Sequence, residues 1–138
     1  MRIVYIIGSL ATQSGANRMV TEKANIFATQ FNYDLTIITC VQHQNETNTY
    51  TLSNAVKQVN LDIPLFAPYK YKYPKRFWIK WSVSRLLRKR VTETVQQIDP
   101  DILIGVAQYK ADMISRIKCR GEKIIECHEA RTFTLSGL

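Results

Sequence analysis

The sequence predicts a Rossmann-like α/β domain built on a doubly wound parallel sheet, and three observations carry that expectation. The runs Arg2–Gly8 (RIVYIIG), Asp34–Cys40 (DLTIITC) and Asp101–Ala107 (DILIGVA) are apolar on both faces and rich in Ile and Val, as strands covered by helices on either side should be. Apolar residues at helical spacing fill the segments between them. Strand and helix thus alternate five times along the chain, a pattern that calls for parallel pairing through right-handed crossovers. The expected strand order is 3-2-1-4-5. The winding then reverses between strands one and four, and ligands collect above their carboxyl ends.

Each element has its own signal. Ala16, Val20, Ala24, Phe27 and Phe31 would share one face of a first helix, which gives way to a turn at Asn32–Tyr33 before the second strand. Ala55–Leu61 is more polar and reads as an outer strand. Ile79, Val83, Leu86, Leu87, Val91, Val95 and Ile98 make a longer helical stripe, on which Arg90 intrudes. Pro100, in the turn Asp99–Asp101, bars further helix before the fourth strand. Gln108–Lys118 reads as a short third helix with Met113 and Ile117 inward and Gly121 as its C-terminal stop. Lys123–Cys127 reads as a fifth buried strand.

A length of 138 residues suits one domain with a real core. Hydrophobic residues at 46% and charged residues at 22% are ordinary for a soluble globular chain. No apolar run approaches the roughly 18–20 residues of a membrane span, and the first strand is too short for a secretory signal and lacks its cleavage site. Cys40, Cys119 and Cys127 have no metal-like spacing and read as small buried hydrophobes of a cytoplasmic protein, so no metal is expected. The net charge of +8 is unevenly placed: no acid occurs between Ile63 and Thr92, a window holding Lys70, Lys72, Lys75, Arg76, Lys80, Arg85, Arg88, Lys89 and Arg90.

The loop after the first strand matches neither common nucleotide fingerprint. Gly8 and Gly15 are too far apart for a Walker loop, Gly15 is followed by Ala16 rather than Lys, and a third glycine for the dinucleotide pattern is missing. What remains is Ser14-Gly15-Ala16-Asn17-Arg18 opening a helix, whose N-terminal amides favour an anion. Gly15 lacks a Cβ, which permits close approach by a ligand or simply a tight helix entry. Arg18 could face an anionic ligand or pair with Glu22 one turn on.

Together, Ser14–Val20 with Asn25–Ala28, Tyr33–Thr39, Asp99–Ile104 and Ile124–Glu129 resemble four successive motifs of the family 4 retaining nucleotide-sugar glycosyltransferases, of GT-B fold. The likeness runs over nearly the whole chain and departs at Ser14, where a glycine is usual, and at Asn17, where an acid is common. It implies an amino-terminal, acceptor-side domain whose partner domain, carrying the Glu-x7-Glu motif and most of the nucleotide-sugar site, lies outside these residues. The implied reaction moves sugar from a nucleotide-sugar co-substrate to a glycan or lipid-linked acceptor of the polysaccharide or lipopolysaccharide type, with no other cofactor. Alone, this domain is expected to turn over nothing. By the same likeness Ser14, Gly15, Ala16 and Arg18 contact substrate, and His128, past the fifth strand, borders the cleft as the catalytic-site histidine. A surface role for His128 stays open, and Glu126 and Glu129 beside it are read as bystanders. His43, in a polar loop, reads as solvated.

Lys70–Trp81 (KYKYPKRFWIKW) interleaves basic and aromatic residues. Lys70, Lys72, Lys75, Arg76, Trp78, Lys80 and Trp81 suit an anionic membrane surface, as a peripheral protein on the inner face would need; alternatively the aromatics cover the core and the lysines are solvated. No recognition motif accompanies the charge, so nucleic acid is not the expected partner. Two other functions remain open: a free-standing binding module of flavodoxin-like type, and a basic peripheral membrane-binding domain.

Overall fold

The computed structural model describes residues 1–64, 72–106 and 111–126. Along the chain come β1 (Arg2–Ile7), α1 (Gly15–Thr29), β2 (Asp34–Thr39), β3 (Lys57–Asn60), α2 (Lys75–Ile98), β4 (Ile102–Gly105), α3 (Ala111–Arg116) and β5 (Glu122–Ile125). The strands form one sheet in the order β3-β2-β1-β4-β5, and every pair is parallel. This is the doubly wound Rossmann-like arrangement expected from the alternating pattern.

The two-residue period of a strand decides which helix each side chain meets. Ile3, Tyr5 and Ile7 of β1 join Leu35 and Ile37 of β2 under Val20, Ala24 and Ala28 of α1. The small alanines allow α1 to lie close to the sheet. Val4 and Ile6 point the other way, with Ile38 and Leu103, against Val83, Leu87, Val91 and Val95 of α2 and Ile114 of α3. Each such aliphatic side chain contributes about 1.5–3 kcal/mol on leaving water, so β1, covered on both faces, is the centre of the core.

Several expectations need correction. The alternation fails once: residues 40–56, between β2 and β3, contain no helix. Leu86 and Phe31 are exposed, because Leu86 lies beside the i, i+4 line through Val83, Leu87, Val91 and Val95, and Phe31 lies beyond the end of α1, stacked on Tyr33. β5 is not a buried strand. Ile124 and Ile125 are 42% and 39% exposed, as an edge position with one neighbouring strand allows. Cys127, the expected end of that strand, and residues 108–110, the expected start of the third helix, lie outside the described residues.

Gly121 is not the left-handed helix stop foreseen for it. α3 ends at Arg116, and no glycine among the described residues has positive φ. A Cβ at Gly121 would meet the Asp101 carbonyl at 2.5–2.6 Å and the Pro100 oxygen closer still, so glycine is required there by the approach of two backbones. The left-handed stop belongs to Asp99, which ends α2 with φ 52° and donates its N–H to Val95 O at 2.9 Å. Arg2 Nη1 supports the same end by donating to Ile98 O at 2.9 Å, satisfying a carbonyl that the helix leaves open.

Candidate functional site at the carboxyl edge of the sheet

The loop from Gly8 to Ser14 is held from both sides. Past the ends of β1 and β2, Cys40 N donates to Ile7 O at 3.0 Å and Val41 N to Gly8 O at 2.9 Å. Leu10 turns into the core, and its N–H donates to Oε1 of the buried Gln42 at 2.9 Å. Thr49 adds two clamps, N to Leu10 O at 3.0 Å and Oγ1 to Ala11 O at 2.8 Å. Gln42 is itself fixed by donating to Asn48 Oδ1 at 2.9 Å, and Asn48 donates to Gln58 Oε1 of β3 at 2.6 Å. A chain of side-chain amides therefore ties the loop above β1 to the outer strand.

At the helix entry, Ser14 is the N-cap, with extended φ, ψ of −151°, 156° and its Oγ accepting from Asn17 N at 3.1 Å. Asn17 is buried and folds back on the loop, its Nδ2 donating to Thr12 O at 2.7 Å and to Thr12 Oγ1 at 3.0 Å. Asn17 here donates to a carbonyl, which a carboxylate could not do. Capping takes up the third N–H of α1 and leaves those of Gly15 and Ala16 at the open end of the helix. Gly15 is exposed, and a Cβ there would meet no described residue within 4 Å. Packing within the described residues does not require glycine at this position.

Of the sequence candidates, Ser14, Gly15 and Ala16 thus share one open rim. Arg18 follows its other expected course. Its Nε donates to Glu22 Oε1 at 3.0 Å on the solvent face, and that hydrogen bond and charge push the guanidinium pKa up. His128 and Lys70 lie outside the described residues, as does Glu129. His43 is exposed as expected, and it is also paired with Asp62.

Lys23 and Tyr5, which sequence reasoning passed over, come together with Glu126, which it read as a bystander. Lys23 Nζ lies 3.3 and 3.4 Å from the two Glu126 carboxylate oxygens, joining α1 to the residue just past β5. Tyr5 is buried in β1 with its hydroxyl unpartnered among the described residues. Burial first, and then the Glu126 charge, push the phenol pKa well above its usual range. The one early signal was periodicity. Tyr5 alternates with Val4 and Ile6 inside an apolar strand, and Asn17 stands in helical register with Val20, Ala24 and Ala28.

Arg90, the intruder on the α2 stripe, is exposed and lines a cleft of ≈ 620 Å³ with Leu86 and Thr94, facing Asn60–Ile63. Lys72, Lys75, Arg76, Trp78, Lys80 and Trp81 are all exposed, so Trp78 and Trp81 do not cover the core. No helix among the described residues is long and apolar enough to cross a membrane. Neither a protein-family model nor a curated protein matches the chain.

Proposed function

We propose that this domain is the acceptor-side half of a retaining nucleotide-sugar glycosyltransferase serving cell-surface glycan synthesis. One observation carries the proposal: a helix N-terminus, Gly15–Ala16, that no described residue obstructs stands where a doubly wound sheet reverses its winding. In this role the two amides face the negative charge that grows on the departing diphosphate. Preorganised backbone donors of that kind stabilise a transition state without reorganising at the moment of reaction. Ser14 and Asn17 hold the donors in place by anchoring the loop to the helix. The four-motif likeness and the matching strand order support the same reading. His128 serves as the cleft histidine in it, and the nucleotide is bound chiefly by the companion domain.

The test is glycan profiling of cells lacking the gene, complemented with wild-type protein or with Gly15→Asp. The substitution adds a carboxylate to the first turn, which favours the helix by about 0.3–1 kcal/mol while repelling a diphosphate. The expected result is a missing or shortened surface glycan that the wild type restores and Gly15→Asp does not. An unchanged glycan profile in the deletion strain, or full rescue by Gly15→Asp, overturns the proposal.

A further inference from the structure

One flank of α2 overhangs the outermost strand. Leu86, Arg90 and Thr94 follow one another at helical spacing, beside the line through Val83, Leu87, Val91 and Val95 that packs on the core. β3 is the last strand on that side of the sheet. Where it ends, a cleft of ≈ 620 Å³ opens between Asn60–Ile63 and the Leu86–Thr94 line, a size that suits a small molecule. Leu61 and Ile63 are buried in the α2-side core and give the cleft an apolar floor, to which Leu86 adds.

The two walls carry opposite charge. On the β3 side, Leu61 N and Ile63 N donate to Thr39 O and Cys40 O at 2.9 Å each. Asp62, held between them, takes a left-handed φ of 52°, a conformation that Asp and Asn tolerate better than most residues. Its exposed carboxylate lies at the cleft with His43 as its partner. Gln44 also lines this wall, its Nε2 donating to Asn60 O at 2.6 Å, which leaves its Oε1 as an acceptor. On the α2 side, the Arg90 guanidinium has no partner among the described residues, whereas Arg2, Arg18 and Arg120 each hold one. Arg90 and Asp62 line one cleft yet form no ion pair with each other.

A ligand here must answer both charges. A phosphate would face Asp62, a simple cation would face Arg90, and a hydrocarbon would strip water from both without replacing it. We propose that the cleft binds an apolar amino-acid zwitterion, a free aliphatic amino acid or its dipeptide. The ligand carboxylate meets the planar fork of Arg90. Its ammonium donates to Asp62 and to Gln44 Oε1, and its aliphatic side chain lies on Leu61, Ile63 and Leu86. This site is on the α2 side of the sheet and requires nothing of Gly15 or the loop before it, so it does not depend on the sugar-transfer reading.

Nuclear magnetic resonance titration of the full chain tests the site, with L-leucine and leucyl-leucine as probes and two blocked ligands as controls. N-acetyl-leucine lacks the ammonium, and leucinamide lacks the carboxylate. Expected are amide shifts centred on Asn60–Ile63 and on the stretch from Leu86 to Thr94. Leucine should bind roughly ten-fold or more tightly than either control, as the loss of one charge-assisted hydrogen bond implies. Arg90→Gln should lower leucine affinity by the same factor without weakening leucinamide binding. Asp62→Asn, which suits the left-handed backbone, should lower leucine affinity without weakening N-acetyl-leucine binding. Both side chains are exposed, so the spectra of the variants should show an unchanged fold, and the blocked ligands decide the matter on the wild type alone. Absence of shifts at these residues with millimolar leucine and dipeptide, equal binding of free and blocked ligands, or tighter binding of inorganic phosphate overturns the proposal.

Discussion

Lys23 of α1 and Glu126, one residue beyond β5, form an ion pair at 3.3 and 3.4 Å across 103 positions of sequence. The pair links the first helix to the far edge of the sheet. Glu126 also donates its backbone N–H to Gly105 O at 2.8 Å, so the carboxylate hangs from a backbone that β4 already holds. Both side chains are partly shielded from solvent, with relative exposures of 37% and 19%. A double-mutant cycle with Lys23→Met and Glu126→Gln should therefore give a coupling of about 0.5–1 kcal/mol, at the upper end for partly exposed pairs. Urea unfolding of the four proteins measures it, and a coupling of zero would mean that the edge is held by other contacts.

Tyr5→Phe should separate burial from hydrogen bonding in the core. The Tyr5 hydroxyl lies buried without a partner among the described residues, an arrangement that costs about 1–3 kcal/mol. Phenylalanine fills the same space without that group, and a gain of about 1 kcal/mol at neutral pH is expected.

The same phenol makes stability depend on alkaline pH. Its folded-state pKa is raised, by burial and then by the Glu126 charge, above the value of about 10 in an unfolded chain. Below that value both states hold the proton and the contribution is fully present. As pH rises past it, the unfolded chain releases the proton first and stability is lost. Melting temperatures measured between about pH 8 and pH 11 should fall more steeply for the wild type than for Tyr5→Phe.

The glycines should divide by geometry. Gly15→Ala meets no described residue and should leave stability unchanged or raise it by about 0.4–1 kcal/mol through the unfolded state. Gly121→Ala would drive a methyl group into the backbone of residues 100–101, and Gly105→Ala would press on Ile114 Cδ1. Losses of about 1–3 kcal/mol are expected for both, larger at Gly121, because backbone yields less readily than a side-chain tip. Chemical denaturation of the three variants checks the order.

Asn17→Ala should loosen the loop more than Ser14→Ala. Losing the Ser14 cap costs about 1 kcal/mol. Losing the Asn17 side chain strands a loop carbonyl in a partly buried setting and opens a small cavity, costing about 2 kcal/mol. Hydrogen exchange at residues 9–13 should quicken in Asn17→Ala and change little in Ser14→Ala.

Much of this architecture was legible in the residues because it follows from local periodicity. Strand runs such as RIVYIIG, the helical stripe through Val83, Leu87, Val91 and Val95, and the stop at Asp99–Pro100 each follow from a few neighbouring positions. The helix entry at Ser14–Ala16 was legible for the same reason, since a small-residue loop between an apolar strand and a helical stripe is a local pattern; that Ser14 caps the helix came from the structure. Tyr5 could not be given a role in this way. A phenol inside an apolar strand reads as one more large core side chain until the structure brings a carboxylate near it.

By itself the sequence determined the alternation of elements, save for the missing helix between β2 and β3, and the parallel order of the sheet, because backbone period and the handedness of crossovers leave few other solutions. It also set the run of charge around α2, a matter of composition alone. Only the tertiary structure decided which way that run faces, that β5 lies partly open at the edge, and that Lys23 meets Glu126. Those outcomes depend on packing between segments far apart in the chain, and no local pattern encodes the distance between them.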